Sequence, residues 1–186
     1  MELTQTEVGK NESVTSVKKN SVKEWIKFVI TLVVIYLVVT NCIGITRVSG
    51  HSMDPTLKDG SFLFVNKLST FISKPSYGDV VIVEEGGYQI VKRVIGIPGD
   101  VVAIQKGVLY VNNMAIPEVY ALGTPNDMEP VVVEKGYMFI MGDNRTPGES
   151  LDSRDPNIGP QPDSLVKGYA KFSIFPFYKI MKPLEL

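Results

Sequence analysis

Residues 28–45 read FVITLVVIYLVVTNCIGI, a run without a single charged side chain. Together with Trp25 and Ile26 it reaches the roughly 20 residues that a helix needs to cross a bilayer. Val and Ile dominate the run, but in hydrocarbon an isolated segment satisfies its backbone only as a helix, so β-branched composition is no obstacle. The run has no polar face, which argues against a core helix of a soluble domain. It is long for the apolar part of a cleaved leader, and no A-x-A-like site follows it. Asn41 before Cys42 fits poorly with a lipoprotein signal, which wants a small residue there. The expectation is a permanent single-pass anchor over residues 25–46, with Trp25 at the interface and Lys27 snorkelling.

The flanks orient it. Lys18, Lys19, Lys23 and Lys27 precede the run, opposed nearby only by Glu24, whereas Arg47 and mixed charges follow. The positive-inside rule then puts residues 1–24, a polar tail expected to be disordered over residues 1–20, in the cytoplasm and residues 47–186 outside.

The exported part alternates with period two. Phe62–Val65, Val80–Val83, Gln89–Ile95, Val101–Ile104, Val108–Val111, Val131–Val133 and Tyr137–Met141 read as short strands, and residues 164–175 supply another strand or two. Turn signals separate them, among them Lys58-Asp59-Gly60, Tyr77-Gly78-Asp79 and Pro98-Gly99-Asp100. No helical stripe stands out, so an all-β domain is expected. Residues 146–162 form a long polar loop with four prolines, and loops of that length in compact domains usually have a function.

Composition removes several chemistries. With 19 Lys+Arg against 20 Asp+Glu there is no basic excess for nucleic acid. Cys42 is the only cysteine and His51 the only histidine, which excludes an intrachain disulfide and a multi-Cys or His-based zinc centre. No cofactor is called for.

Three segments carry candidate chemistry. Ser49-Gly50-His51-Ser52-Met53-Asp54-Pro55 follows the anchor and presents a serine on a bent backbone. Ile90-Val91-Lys92-Arg93-Val94-Ile95 places a lysine and an arginine on opposite faces of an apolar strand. A lysine buried without a partner loses affinity for its proton and can serve as a base. Met141-Gly142-Asp143-Asn144-Arg145, followed by Ser150-Leu151-Asp152-Ser153-Arg154, alternates charges and hydroxyls. Taken singly, each segment also reads as a turn, an edge-strand lysine or a solvated loop.

In this order behind one N-terminal anchor, the three segments resemble bacterial type I signal peptidases, in the Gram-positive form with a short exported domain. The similarity runs from the anchor to Pro176. It implies a membrane serine endopeptidase that removes signal peptides from exported preproteins. Ser52 would be the nucleophile and Lys92 the general base. Ser150 matches the hydroxyl that orients the lysine, with Ser153 as a rival because Thr146-Pro147-Gly148-Glu149 lengthen the spacing. Arg93 with Asp143, and Asp152 with Arg154, match supporting pairs beside Asn144 and Arg145. Gly50 stands where some members carry an oxyanion-donating serine, which leaves that task to the Ser52 amide. Tyr77-Gly78-Asp79-Val80-Val81 matches a further family box. The final Gly-x-Val of the family reads Gly159-Pro160-Gln161 here.

The resemblance also implies two antiparallel β-sheet domains: a catalytic one, residues 47–99 and 137–186, and a smaller insert, residues 100–136. Val48, Met53, Leu57, Ile90 and Val91 flank the dyad and are expected to line shallow pockets for small side chains. The partners implied are exported preproteins, the lipid bilayer of the bacterial cytoplasmic membrane and the secretion translocon. Two rivals remain: a self-cleaving repressor protease, disfavoured by the anchor, and a non-catalytic assembly or binding module. His51, adjacent to the nucleophile in an extended segment, points to the opposite side and is not expected to act on it.

Overall fold

The computed structural model describes residues 13–181, and of residues 13–20 the backbone alone. The chain divides after Thr40 into two compact units.

The first unit is carried by one helix, α1 (Ser13–Cys42). Its segment Ser21–Cys42 is 22 residues long and apolar enough to cross a membrane, and its most apolar stretch is not buried against the rest of the chain. At 1.5 Å per residue this segment spans about 33 Å, enough for a hydrocarbon core of roughly 30 Å. Residues 13–20, expected as disordered tail, continue the helix. The tail before them lies outside the described residues.

The helix ends earlier than hydropathy alone suggests. Ile43-Gly44-Ile45-Thr46-Arg47 leaves it as strand β1 (Ile43–Arg47) and pairs antiparallel with β2 (Phe62–Asn66), Ile45 opposite Phe64. A short apolar run suits a helix end and a strand equally. The pairing partner, some twenty residues further on, decides.

The second unit contains two sheets, and every ladder in them is antiparallel. The remaining elements are α2 (Ser69–Ile72), β3 (Val80–Glu85), β4 (Tyr88–Gly96), β5 (Val101–Gln105), β6 (Val108–Val111), β7 (Met114–Ala115), β8 (Met128–Val132), β9 (Tyr137–Met141), β10 (Gln161–Pro162), β11 (Val166–Phe175) and β12 (Tyr178–Lys179). The larger sheet runs β1-β2-β11-β3-β4-β9-β10 with β12 on β11; the smaller runs β7-β6-β5-β8. The strand expected at Val131–Val133 begins earlier, at Met128. The short strands β7, β10 and β12 carry too few residues to show alternation.

Ile95, Phe139 and Met141 of the larger sheet share one core with Val102, Ile104, Leu109 and Val111 of the smaller. A second core packs Met53 and Leu57 against Leu63, Val65, Val80 and Ile82. Between them, these cores hold β4 in place and the loop that follows β1 against it.

Candidate active site

Ser52 lies in the loop between β1 and β2. The loop is closed at its base by Val48 N–H to the Ser61 carbonyl (2.8 Å) and Gly60 N–H to the Val48 carbonyl (3.0 Å). Inside it, the Leu57 N–H reaches the Met53 carbonyl at 2.8 Å, one helical turn. That spacing puts Met53 and Leu57 on one side, both buried. Ser52 stands immediately before this turn, half-buried. Gly50 has φ +92°, a left-handed conformation that a side chain would strain, and its N–H is held by Asp59 Oδ1 at 2.9 Å. Among the described residues the Ser52 N–H has no hydrogen-bond partner.

Lys92 lies in β4. It faces Val81 across the ladder while Arg93 faces Val80, so the two basic residues take opposite faces as alternation requires. Both are buried, Lys92 at 4% exposure and Arg93 at 0%. Burial lowers the Lys92 pKa below the usual lysine range; the charge of Asp152 opposes this and that of Arg154 adds to it.

Arg93 pairs with Met141 of β9. That is the last pair of the ladder, and β9 ends there, before Gly142. A Cβ at Gly142 would lie 2.3 Å from the Ser150 Oγ and 2.3 Å from the Ser52 carbonyl oxygen. Only a hydrogen fits there, and this close approach gathers the serine loop, Ser150 and the end of β9 around one point. The Asn144 N–H donates to the Ser52 carbonyl at 3.0 Å, and the Asn144 side chain to the His51 carbonyl at 3.3 Å.

Ser52 and Lys92, forty residues apart in sequence, line one cavity of about 180 Å³ together with Val48, Met53, Ile90 and Val91. Leu57, expected beside them, is fully buried in the core and is not among the cavity walls.

The polar loop wraps the site. Ser150 donates its hydroxyl to Asp152 Oδ2 at 2.6 Å, and the same oxygen accepts the Gly142 N–H at 2.9 Å and Arg154 Nη2 at 2.8 Å. Burial pushes the Asp152 carboxyl upward, but Arg154, Ser150 and the Gly142 amide together hold it below the ordinary range. Ser153 is engaged elsewhere: its hydroxyl accepts the Ile140 N–H at 3.0 Å and its own N–H returns to the Ile140 carbonyl at 3.1 Å.

On the other face, Arg93 forms a fork with Asp143, Nε to Oδ1 at 2.8 Å and Nη2 to Oδ2 at 2.6 Å, with both side chains fully buried. Arg93 Nη1 also donates to the carbonyls of Gly78 and Met181. Its guanidinium lies 4.2 Å from the centre of the Tyr120 ring. Arg145 approaches that ring at 5.9 Å and pairs with Glu118. Glu118 and Tyr120, from the segment between β7 and β8, were not singled out by sequence. Nothing local marks them, because their partners Arg93 and Arg145 are more than twenty residues away.

His51 is exposed, with Nδ1 2.9 Å from Asp54 Oδ2; that hydrogen bond, with the Asp54 charge, raises its pKa. The contact turns the imidazole toward Asp54.

Comparison with known proteins adds an independent line. Residues 22–175 match the family described as "Signal peptidase, peptidase S26". Among curated relatives, a "Signal peptidase I" of Bacillus licheniformis is 39% identical over 179 residues, covering 89% of this chain and 95% of that protein. "Signal peptidase I T" of Bacillus subtilis (strain 168) is 36% identical over 180 residues, covering 89% and 92%. A crystal structure of a signal peptidase I from Enterococcus faecalis V583 aligns with a TM-score of 0.45 and 27% identity, over 52% of this chain and 97% of that one.

Proposed function

The chain belongs to the signal peptidase family, peptidase S26, and from that premise we propose a Ser52/Lys92 mechanism for its activity as a membrane serine endopeptidase that removes signal peptides from exported preproteins. One observation carries the assignment. A serine with an unpartnered amide and a buried lysine of lowered pKa line the same small cavity. Neutral Lys92 takes the Ser52 proton, and Oγ attacks the scissile carbonyl to form an acyl-enzyme. The Ser52 N–H faces the developing oxyanion, a donor whose like is typically worth about 10²–10³ in rate. The Lys92 ammonium then protonates the leaving amine, and a water activated by Lys92 releases the product. A non-catalytic binding module would have no use for a lysine held buried with its charge disfavoured.

Ser150 orients Lys92. It sits against Gly142, the residue that follows the Arg93 partner Met141, whereas the Ser153 hydroxyl is tied to β9. Arg93–Asp143 and Asp152–Arg154 brace the two faces of the site. The cavity of about 180 Å³ takes small side chains of an extended segment, with Val48, Met53, Ile90 and Val91 as its walls. The smaller sheet, β5–β8, is the insert, and β1–β4 with β9–β12 form the catalytic domain.

Purified full-length protein in detergent should cut a preprotein once, and sequencing the new N-terminus should place the cut after a small residue. The rate should rise with pH until the folded pKa of Lys92 is passed, because only the neutral amine accepts the Ser52 proton. Burial disfavours the charged form, so this limb should lie below the reference lysine value of about 10.4. A rate that stays flat and low until that reference value is reached would remove Lys92 as the base.

The helix Ser21–Cys42 anchors the protein in the cytoplasmic membrane with its N-terminus inside, beside the lipid bilayer and the translocon that deliver its substrates. Protease added to spheroplasts should digest the part after Arg47. Survival of that part until the membrane is breached would reverse the orientation.

A further inference from the structure

A cavity of about 470 Å³ lies between α2 and β11 and shares no wall with the one lined by Ser52 and Lys92. Three lysines, Lys67, Lys74 and Lys167, stand in its wall against one carboxylate, Asp163. Lys74 pairs with Asp163 at 2.7 Å, and Lys167 pairs with Glu84, outside the wall, at 2.6 Å. Lys67 makes no ion pair among the described residues. Its stem is built in: a Cβ at Gly44 would lie 2.8 Å from Lys67 Cε, and one at Gly168 3.6 Å from Lys67 Cγ. Two glycines thus clear the surface along which this side chain runs.

The position of the cavity follows from the chain itself. The apolar helix ends at Cys42, whose carbonyl accepts the N–H groups of Lys67 (2.9 Å) and Leu68 (3.3 Å), and Asn41 is a cavity wall. Asn41 and Cys42, the last residues of the apolar span, belong to the same compact unit as the cavity, so the cavity adjoins the chain where that span ends. Beside it, α2 exposes Phe71 (83%) and Ile72 (74%). Bulky apolar side chains next to lysines at a membrane exit form the pattern of an interfacial segment.

We propose that this cavity binds the phosphodiester headgroup of an anionic phospholipid in the leaflet where the helix ends. Lys67 is its central cation, Lys74 and Lys167 flank it, and Phe71 and Ile72 sit at the acyl boundary. The proposal rests on the reading that Ser21–Cys42 crosses the bilayer. Such a contact would fix the height of the catalytic unit above the membrane from which substrates emerge.

The test is native mass spectrometry of the full chain in neutral detergent, titrated with phosphatidylglycerol or with phosphatidylcholine. Phosphatidylglycerol should bind more tightly. A lysine at an anionic lipid surface is worth about 1 kcal/mol, so Lys67→Gln should weaken it about fivefold and the Lys67→Gln/Lys167→Gln pair about twenty-fivefold. Preprotein cleavage in detergent by these variants should be unchanged, which shows that they fold. Lys106→Gln/Lys135→Gln, outside the cavity, should leave lipid binding unchanged. Equal binding of the two lipids, unaltered phosphatidylglycerol binding by the double cavity variant, or an equal loss in the control pair would each overturn the proposal. Displacement of phosphatidylglycerol by millimolar inorganic phosphate would identify a free-phosphate site and overturn the lipid assignment. Binding in detergent needs no particular orientation. A failure here with cleavage and spheroplast topology intact therefore indicts the cavity and not the functional reading.

Discussion

Lys92→Arg should lower preprotein cleavage by at least about 10³-fold, the upper part of the range for general acid–base catalysis. Arginine keeps the length and the positive charge, but its guanidinium does not deprotonate in a protein. If position 92 supplied only charge, the variant would work. If it supplies a base, it is as inactive as Lys92→Ala. Ser52→Ala should be equally inactive and should retain the thermal stability of the parent, since Ser52 is only half-buried and its hydroxyl makes no hydrogen bond among the described residues. His51→Ala should keep most activity, because the imidazole is exposed and bonded to Asp54. Substantial turnover by Lys92→Arg, measured against the parent at several pH values, would end the Ser/Lys assignment.

Asp143→Ala should produce the largest loss of stability. It leaves the Arg93 guanidinium fully buried with its fork partner gone. Breaking a buried pair from one side costs about 3–5 kcal/mol, which in a domain of this size lowers Tm by roughly 10–20 °C. The carbonyls of Gly78 and Met181 still accept from Arg93, and Tyr120 still lies under it, so the variant should fold at low temperature. Activity should fall together with Tm, because Asp143 sits between Gly142, which packs closely against the Ser52 carbonyl, and Asn144, whose N–H donates to it. Differential scanning calorimetry beside a cleavage assay separates the outcomes: lost activity at unchanged Tm would make Asp143 a participant in the reaction.

Much of the candidate site is readable in the sequence through the family resemblance, because the segments that carry it are short and stereotyped. A serine before Met53, a lysine inside an apolar strand and a Gly-Asp-Asn-Arg turn each keep their chemistry in a few consecutive positions. Strand alternation alone requires Lys92 and Arg93 to part to opposite faces, and the structure has them do so. The clamp of Glu118 and Tyr120 on the two arginines is not readable in this way. It joins the segment between β7 and β8 to β4 and to the loop after β9, and no local pattern announces a contact of that range. The choice between Ser150 and Ser153 is similar. Two hydroxyls three residues apart look alike in sequence, and only the pairing of Ser153 with Ile140 sets them apart. Leu57 shows the same limit. It is apolar and near the nucleophile, as a pocket residue would be, but one helical turn with Met53 carries it into the core.

By itself, then, the amino-acid order determined the apolar helix, the period-two strands and the chemical types available for catalysis. All of these depend on neighbours within a few positions, through hydropathy, pleat and charge. Tertiary structure decided where the helix stops, since Ile43-Gly44-Ile45 became a strand only because Phe64 and Val65 return to pair with it. It also decided that Ser52 and Lys92 line one cavity, and that the Ser52 carbonyl and Ser150 close in on a Gly142 that leaves no room for a side chain. Those outcomes depend on which distant segments pack together. That is fixed by burying one shared core, and no short stretch of sequence contains it.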